Sequence, residues 1–328
     1  MPSPAPDAAP VDAVTTPPLP TFLVIGAMKS GTTSLYYYLR QHPQIYLDPT
    51  RKEAQFFCYE GQTPCFAGPG DDLVNRYVIA SIEEYRRMFA GAAGQPAIGE
   101  VGTVYIYVPG TAERIRHHVP AARLIAILRN PVERAYSSFL HLVREELEPC
   151  RRFADALRRE PERIRANWSP HWHYVQAGFY HAQLTRYFDV FDRRQIRVYL
   201  YDDYRADPVG LMQDIFRFVG VDAAFVPEMS LRHNVSGAPR IRALHRFLDS
   251  RHPVKALVRP LLSSRWRLTL RERVRALNLR RPPALSPDLR RHLVGVFHDD
   301  VLALQDLLGR DLSPWLSLEG PDTAGDEE

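Results

Sequence analysis

The sequence predicts an α/β fold in which helices flank a central parallel sheet. Short, continuous apolar runs recur along the chain, as expected for buried parallel strands. Helical spacing or a helix-capping residue follows most of these runs, and this alternation is typical of a parallel sheet covered on both faces. We find no internal repeat, and 328 residues suit one large α/β domain or two small ones.

The individual elements are predicted from apolar runs and cap residues. Strands are expected at residues 22–25, 97–101, 124–128 and 196–200. Helices are expected at residues 32–41, 81–90, 109–118, 131–144 and 208–219. Residue types that favour a helix cap or first turn stand at four of these starts: Ser81, Pro109, Pro131 and Asp207.

The two ends of the chain differ in composition from its centre. Residues 1–20 hold seven prolines and no lysine or arginine, so we expect a disordered tail and not a signal peptide. Residues 240–316 are expected to form a basic helical extension or lid, since 240–291 carries 15 Lys and Arg against three Asp and Glu. Residues 317–328 are expected to be an acidic, disordered tail. The folded domain is therefore predicted at 21–316.

Charge and cysteine content narrow the classes of function. A formal net charge of +4 fits anionic ligands without requiring nucleic acid, and we expect no nucleic-acid partner. No apolar run approaches the roughly 20 residues of a membrane span. The three cysteines, Cys58, Cys65 and Cys150, form no CxxC pair, which argues against a zinc site. Cys58 and Cys65 could pair, but free thiols in a reducing cytoplasm are the favoured interpretation.

A glycine-containing loop joins the first predicted strand to its helix. It reads Gly26-Ala27-Met28-Lys29-Ser30-Gly31-Thr32-Thr33. A loop in this position places backbone N–H groups and a helix N-terminus around an anion. A Walker A loop needs a lysine directly after its second glycine. Thr32 stands there instead, and the lysine lies within the loop at Lys29, which disfavours ATP or GTP hydrolysis. A glycine turn without a ligand is the other interpretation.

A second pair of polar residues follows the strand predicted at 124–128. Arg129 stands directly at the carboxyl end of this strand, and Ser137 lies about two turns into the next helix. An arginine and a hydroxyl placed in this way can share one phosphate. Taken alone, the arginine would be interpreted as a cap on the sheet edge.

Together, the two motifs resemble those of sulfotransferases that use 3′-phosphoadenosine 5′-phosphosulfate (PAPS), including bacterial members. Lys29 to Thr33 match the family's Lys-Ser/Thr-Gly-Thr-Thr/Ser loop, and Arg129 with Ser137 match its second signature. The resemblance implies a P-loop NTPase-like architecture and PAPS as the sulfonate donor, with no metal. It also implies that Lys29 contacts the oxygen that bridges phosphate and sulfate, and that Arg129 and Ser137 bind the 3′-phosphate. The groups implied at the 5′-phosphate are Ser30, Gly31, Thr32 and Thr33.

A third segment points to the acceptor side. Lys52-Glu53-Ala54-Gln55-Phe56-Phe57 resembles a motif of the branch that includes the heparan sulfate sulfotransferases. The resemblance implies that Glu53 is the general base and that Lys52 holds the sulfonate or tunes Glu53. The alternative is a surface Lys-Glu pair before a buried helix start. A histidine base stays open by residue type, because the chain has 12 histidines.

Weaker resemblances suggest two groups of acceptor contacts. The family pattern Gly-Glu-x-Ser/Thr-Pro-x-Tyr is matched at Glu100 and Tyr105, although Gly102 and Thr103 depart from it. Tyr180 matches an Arg-Gly-x-Tyr segment in which Ala177 replaces the arginine. This replacement indicates an acceptor less anionic than a glycosaminoglycan. We expect Glu100, Tyr105 and Tyr180 to contact the acceptor.

Two further residues are implied on the donor side. Tyr201 follows the strand at 196–200, as a tyrosine near the adenine does in some members of the family. Arg240 ends a segment that resembles one closing over the nucleotide in bacterial members, where it would bind phosphate. A solvated arginine that opens a basic helix is an equal alternative for Arg240.

The expected function is transfer of a sulfonate group from PAPS to a hydroxyl or amine of a carbohydrate, glycolipid or small molecule. The sequence does not indicate the acceptor, the choice between O- and N-sulfation, or the oligomeric state. A P-loop kinase is one alternative. The other is a non-catalytic protein that binds anionic polymers through its basic stretch.

Overall fold

The fold is built on one parallel sheet. The computed structural model describes residues 16–229, 238–239, 279–280 and 283–319. Five parallel strands in the order β2-β3-β1-β4-β5 form the sheet. They are β1 (Phe22–Gly26), β2 (Ile45–Leu47), β3 (Ala97–Val101), β4 (Arg123–Leu128) and β5 (Ile196–Leu200). The predicted α/β fold is confirmed. The sequence did not predict β2, an edge strand of three residues.

The order of the strands creates a crevice at the centre of the sheet. β1 pairs with β3 on one side and with β4 on the other. The loops that leave β1 and β4 therefore start side by side at the carboxyl edge and lead to helices on opposite faces. In open α/β sheets this is the place where ligands bind.

The helices largely follow the predicted pattern. α1 (Thr32–Leu39), α4 (Ile82–Arg87), α6 (Pro131–Arg144) and α10 (Pro208–Val219) lie within predicted ranges, and α5 (Thr111–His118) begins two residues later than expected because Gly110 takes the cap position. Helices that the sequence did not predict are α2 (Phe56–Tyr59), α3 (Asp71–Tyr77), α7 (Phe153–Arg165), α8 (Tyr180–Val190) and α9 (Tyr201–Ala206). Near the C-terminus lies α11 (Pro287–Leu308).

Apolar side chains alternate between the two faces of the sheet. On one face, Phe22 and Val24 of β1 pack with residues of α1 and α10, including Leu35 and Phe216. On the other face, buried residues of β1 and β4 pack with residues of α6, α8 and α11. Full burial of each such side chain contributes about 1.5–3 kcal/mol, so the two cores hold the helices firmly on the sheet.

The described part of the C-terminal extension contains one long helix and one short strand. α11 buries Leu293, Phe297, Val301 and Leu304 against the core, and a short 3-10 turn follows at Ser313–Leu316. Two short strands, β6 (Ala238–Pro239) and β7 (Leu279–Arg280), pair antiparallel. The remainder of the basic stretch at 240–278, including Arg240, lies outside the described residues. Among the described helices, none combines the length and apolar character that crossing a membrane requires.

All three cysteines lie within the described part of the chain. Cys58 is buried, Cys65 is exposed and Cys150 is half-buried, and each is a free thiol. Cys58 and Cys65 therefore do not pair.

Candidate active site

The loop between β1 and α1 forms the floor of a cavity of about 230 Å³. Lys29, Gly31, Thr32 and Thr33 all line this cavity, whereas Ser30 is fully buried beneath it. Gly31 has a φ of 90°, and a Cβ there would lie 3.1 Å from a ring carbon of Tyr201. A side chain at this position would be strained and would crowd the wall, so the glycine keeps the cradle open.

The opposite wall comes from the ends of β4 and β5. Arg129, Ser137 and Tyr201 line the same cavity as the loop. Nη1 of Arg129 donates to the carbonyl oxygen of Lys29 at 3.3 Å, and its guanidinium lies 5.0 Å from the ring centroid of Tyr201. The side chain of Asn130 accepts from Val132 N at 2.9 Å and so caps α6, the helix that carries Ser137. The structure thus brings the residues of the two predicted donor motifs together.

Positive charge accumulates in the cavity. Burial, together with the neighbouring cations Arg144, Arg129 and Lys52, lowers the pKa of Lys29 to about 7. Burial also lowers the pKa of His141 to about 2, with Lys29 as the largest charged contributor. Cations that depress one another's protonation are stabilised by an anion. This donor set therefore fits a ligand that carries phosphate-like groups.

Glu53 lies on the side of the cavity nearest β3. Its Oε1 accepts from Nζ of Lys52 at 2.9 Å, and its Oε2 accepts from Oγ1 of Thr103 at 2.7 Å. Burial acts to raise the pKa of Glu53, but Lys52 and the Thr103 hydroxyl outweigh it and hold the pKa below its usual value. Nζ of Lys52 also donates to Thr33 Oγ1 at 3.2 Å. Lys52 therefore links the carboxylate to the anion loop, and a carboxylate that is ionised at neutral pH faces the cavity.

Glu100 and Tyr105 do not lie on the cavity wall, contrary to the expected acceptor contacts. Both are almost completely buried. The carboxylate of Glu100 accepts from Ala54 N at 2.8 Å and from the hydroxyls of Tyr85 and Tyr105 at 2.6 and 2.7 Å. Burial raises the pKa of Glu100 to about 7 despite these three donors. Since Ala54 follows Glu53 directly, Glu100 supports the segment that carries Glu53 from behind.

Tyr180 also differs from its expected position. It is fully buried, and its hydroxyl donates to the carbonyl oxygen of Arg129 at 3.0 Å. A ring packed beneath the β4 loop cannot reach an acceptor in the cavity. Its contact with Arg129 gives Tyr180 a supporting role for the loop after β4.

Several cavity residues were missed by the sequence analysis. They are Met28, Ser34, Thr103, Ser138, His141, His171 and Tyr204. Two of them carried a usable signal. His141 stands four residues after Ser137, which places both on one face of α6. Thr103 supplies a hydroxyl one position after the place where the family pattern has one, and this shift hid its function.

His171 had no signal in the sequence, because a distant 3-10 turn at Pro170–Trp172 brings it to the cavity. Ser169 Oγ donates to Asp71 Oδ1 at 2.6 Å and lies 3.3 Å from Nδ1 of His171. A hydroxyl has a single hydrogen, so the serine that donates to Asp71 must accept from His171. This contact places the imidazole proton on Nδ1 and leaves Nε2 as a hydrogen-bond acceptor.

The described residues offer no evident metal site. Within residues 16–229 and 283–319, we find no group of three or more His, Cys, Asp or Glu side chains arranged to hold a metal ion. Arg240, the remaining expected phosphate contact, lies outside the described residues.

Comparison with known proteins places the chain among relatives of one kind. The model of the sulfotransferase family matches residues 105–225. The crystal structure of a sulfotransferase from Alicyclobacillus acidocaldarius is 36% identical, with a TM-score of 0.72, and the match covers 92% of this chain and 100% of that one.

Two curated relatives are longer than this chain. The membrane-associated sulfotransferase kil1 of Dictyostelium discoideum is 35% identical over 173 residues, which is 44% of this chain and 33% of that protein. The bifunctional heparan sulfate N-deacetylase/N-sulfotransferase 4 of Mus musculus is 28% identical over 224 residues, or 62% and 22% of the two chains. The matches thus span between about a fifth and a third of these relatives. The full-length structural match and the family model show that the chain belongs to the sulfotransferase family.

Proposed function

We propose that this protein transfers a sulfonate group from PAPS to a hydroxyl or amine of an acceptor, with Glu53 as the general base. The observation that carries the proposal is one cavity that holds Lys29, Arg129 and Glu53 together. The cations fit an anionic donor, and the carboxylate fits the activation of a nucleophile. Thr32 follows Gly31 at the place where a Walker A loop has its lysine. The cavity therefore suits a phosphosulfate better than a nucleoside triphosphate.

The donor is held, in this proposal, by the two walls of the cavity. The amides and hydroxyls at Gly31, Thr32 and Thr33, at the start of α1, bind the 5′-phosphate. Arg129 and Ser137 bind the 3′-phosphate, the former as a charge-assisted donor. Tyr201 offers its ring to the adenine. PAPS supplies an activated sulfonate whose bond to the phosphate oxygen breaks during transfer.

Two side chains take part in the transfer itself. Glu53 accepts the proton of the acceptor hydroxyl or amine while that oxygen or nitrogen attacks sulfur. Lys29 stabilises the negative charge that develops on the departing phosphate oxygen. The new bond joins sulfur to the acceptor, the sulfur–oxygen bond to the phosphate breaks, and the electron pair leaves with adenosine 3′,5′-bisphosphate (PAP).

The acceptor side of the cavity suits an uncharged polar group. Glu53, His171 and Ser138 line the cavity, and they bring a carboxylate, an imidazole and a hydroxyl. Such a set fits a hydroxyl or amine donor, and the relatives named as heparan sulfate N-sulfotransferases support a carbohydrate among the candidate acceptors. Ala177 is buried and carries no charge to pair with a sulfated chain. We propose a carbohydrate, glycolipid or small-molecule acceptor of low negative charge.

The proposed base is tested by Glu53→Gln. We expect acceptor-dependent turnover to fall by about 100-fold or more, since general-base catalysis contributes roughly that factor. The affinity for PAP should stay within about threefold of wild type, because Glu53 is not among the groups that bind the donor. Turnover is measured by incubating the protein with ³⁵S-labelled PAPS and metabolite pools, which also identifies the labelled acceptor.

A matched control is Glu83→Gln, a glutamate on the exposed first turn of α4. This variant should turn over as the wild type does. Turnover by Glu53→Gln close to the wild-type rate would show that another group is the base. Failure of the wild type to label any acceptor would contradict the proposed activity.

A further inference from the structure

A tryptophan near the C-terminus bridges the two loops that form the donor wall. Trp315 lies in the 3-10 turn Ser313–Leu316 and is 4% exposed. Its indole Nε1 donates to Asp202 Oδ2 at 3.0 Å, and its carbonyl oxygen accepts from Nδ2 of Asn130 at 3.2 Å. Asp202 is adjacent to Tyr201, and Asn130 is adjacent to Arg129.

A second set of contacts reinforces this bridge. Both terminal nitrogens of Arg310 donate to the carboxylate of Asp203, at 2.6 and 3.0 Å. The ring of Trp315 lies 6.3 Å from that of Tyr180, whose hydroxyl holds the Arg129 carbonyl oxygen. The C-terminal turn therefore contacts the β4 loop, the start of α9 and the tyrosine beneath Arg129.

Trp315 is not among the residues that line the cavity. It joins the loop after β4 to the helix after β5, which otherwise meet through the stacking of Arg129 on Tyr201. A guanidinium and a ring bind a nucleotide with full strength only when they are held in one relative position. The C-terminal turn supplies this restraint from outside the cavity.

We propose that Trp315 is a positioning residue that fixes Arg129 and Tyr201 for the nucleotide donor. The inference rests on the proposed function, because it assigns Arg129 and Tyr201 to the nucleotide. Trp315 acts through Asn130 and Asp202. Removal of its N–H loosens the start of α9 and lowers the affinity for PAP without removing any group that contacts PAP.

The test is a calorimetric titration with PAP of the wild type and Trp315→Phe. Phenylalanine keeps an aromatic ring in the turn but cannot donate to Asp202. We expect the dissociation constant for PAP to rise about tenfold, the factor that corresponds to one charge-assisted hydrogen bond. Asp202→Ala removes the same hydrogen bond by deleting its acceptor, which is exposed, and should raise the dissociation constant for PAP about fivefold or more. Because the two changes remove one bond, their effects should not add in the double variant.

Trp172→Phe is the matched control. Trp172 is also a buried tryptophan that donates to an aspartate, Asp71 at 3.4 Å, but it contacts neither Asn130 nor Asp202. Urea unfolding of all variants measures the loss of stability that each change causes. A loss of PAP affinity in Trp315→Phe and Asp202→Ala but not in Trp172→Phe supports the inference.

Three results would overturn the inference, and only the last also contradicts the proposed function. If the wild type binds PAP and both Trp315→Phe and Asp202→Ala bind it equally well, the positioning role is wrong and the proposed function stands. The same holds if Trp172→Phe loses as much affinity at an equal loss of stability. If the wild type itself does not bind PAP, the proposed donor is wrong, and the inference falls with it.

Discussion

At the scale of single residues, charge decides what the cavity can bind. Burial and three neighbouring cations together lower the pKa of Lys29 to about 7. Glu53 keeps its charge instead, because Lys52 and Thr103 hold its pKa below the usual value. The protonated form of Lys29 is stabilised by a nearby anion, so this lysine is complementary to a phosphosulfate donor. The ionised carboxylate of Glu53 is complementary to an acceptor that carries a proton.

The pKa of Lys29 predicts how donor binding depends on pH. Only the protonated amine attracts a phosphate, and the bound anion raises the lysine's pKa in the complex. Affinity for PAP should therefore fall as the pH rises above about 7, by up to roughly tenfold per pH unit. The phosphate groups of PAP lose their last proton at about pH 6, so they do not cause a decline in affinity above pH 7. Calorimetric titrations at pH 7, 8 and 9 measure it.

The control for this pH dependence is Lys29→Met, which has no proton to lose. Its affinity for PAP should be weaker than that of the wild type at pH 7 and should change little up to pH 9. A wild-type affinity that is constant from pH 7 to pH 9 would contradict the account of Lys29.

At the scale of elements, the strongest patterns in the sequence predicted the parts that carry the proposed donor site. β4, α6 and β5 were predicted within one residue of their bounds, because apolar residues dominate both strands and Pro131 marks the helix start. β2 was missed, since three residues are too few to show a pattern. α7 and α8 were missed as well, and with them the path that brings His171 to the cavity.

The three side chains expected at the acceptor lie in the core instead, and the reason is physical. Glu100 and Tyr105 stand at and just after the end of β3, as ligand-binding residues do, and nothing in the local sequence shows that their side chains turn into the core. Tyr180 likewise begins a helix but packs beneath Arg129. Burial of a polar side chain depends on elements that are distant in the chain, so a local motif cannot predict it.

The support that Glu100 gives to the segment of Glu53 can be measured with Glu100→Gln. The amide offers one oxygen in place of a carboxylate that accepts three hydrogen bonds, so a buried donor loses its partner. We expect the free energy of unfolding to fall by about 1–3 kcal/mol. Acceptor-dependent turnover should fall as well, while PAP affinity stays near that of the wild type. Urea unfolding, labelled-PAPS turnover and PAP titration measure the three quantities.

Tyr199→Phe is a suitable comparison, because Tyr199 also donates to a carboxylate, Asp214, but away from the segment of Glu53. It should lose stability without a specific loss of turnover. If Glu100→Gln loses affinity for PAP to the same degree as turnover, Glu100 supports the whole cavity and not the segment of Glu53.

At the scale of the whole molecule, the cavity lies where several separate parts of the chain meet. The loop after β1 supplies the anion cradle, the ends of β4 and β5 supply the donor wall, and the segment before α2 supplies Glu53. α11 and the turn at Ser313–Leu316 pack behind the donor wall, although they are far from it in sequence. The C-terminal extension is thus part of the framework of the site where the structure describes it.

The central claim is that the cavity binds a 3′-phosphorylated phosphosulfate nucleotide and not a nucleoside triphosphate. A calorimetric comparison of PAP with ATP in the presence of Mg²⁺ tests it most directly. We predict one PAP bound per chain, binding of ATP with Mg²⁺ at least tenfold weaker, and a marked loss of PAP affinity in Arg129→Ala. Binding of ATP with Mg²⁺ that equals or exceeds that of PAP, or the absence of PAP binding, would contradict the account.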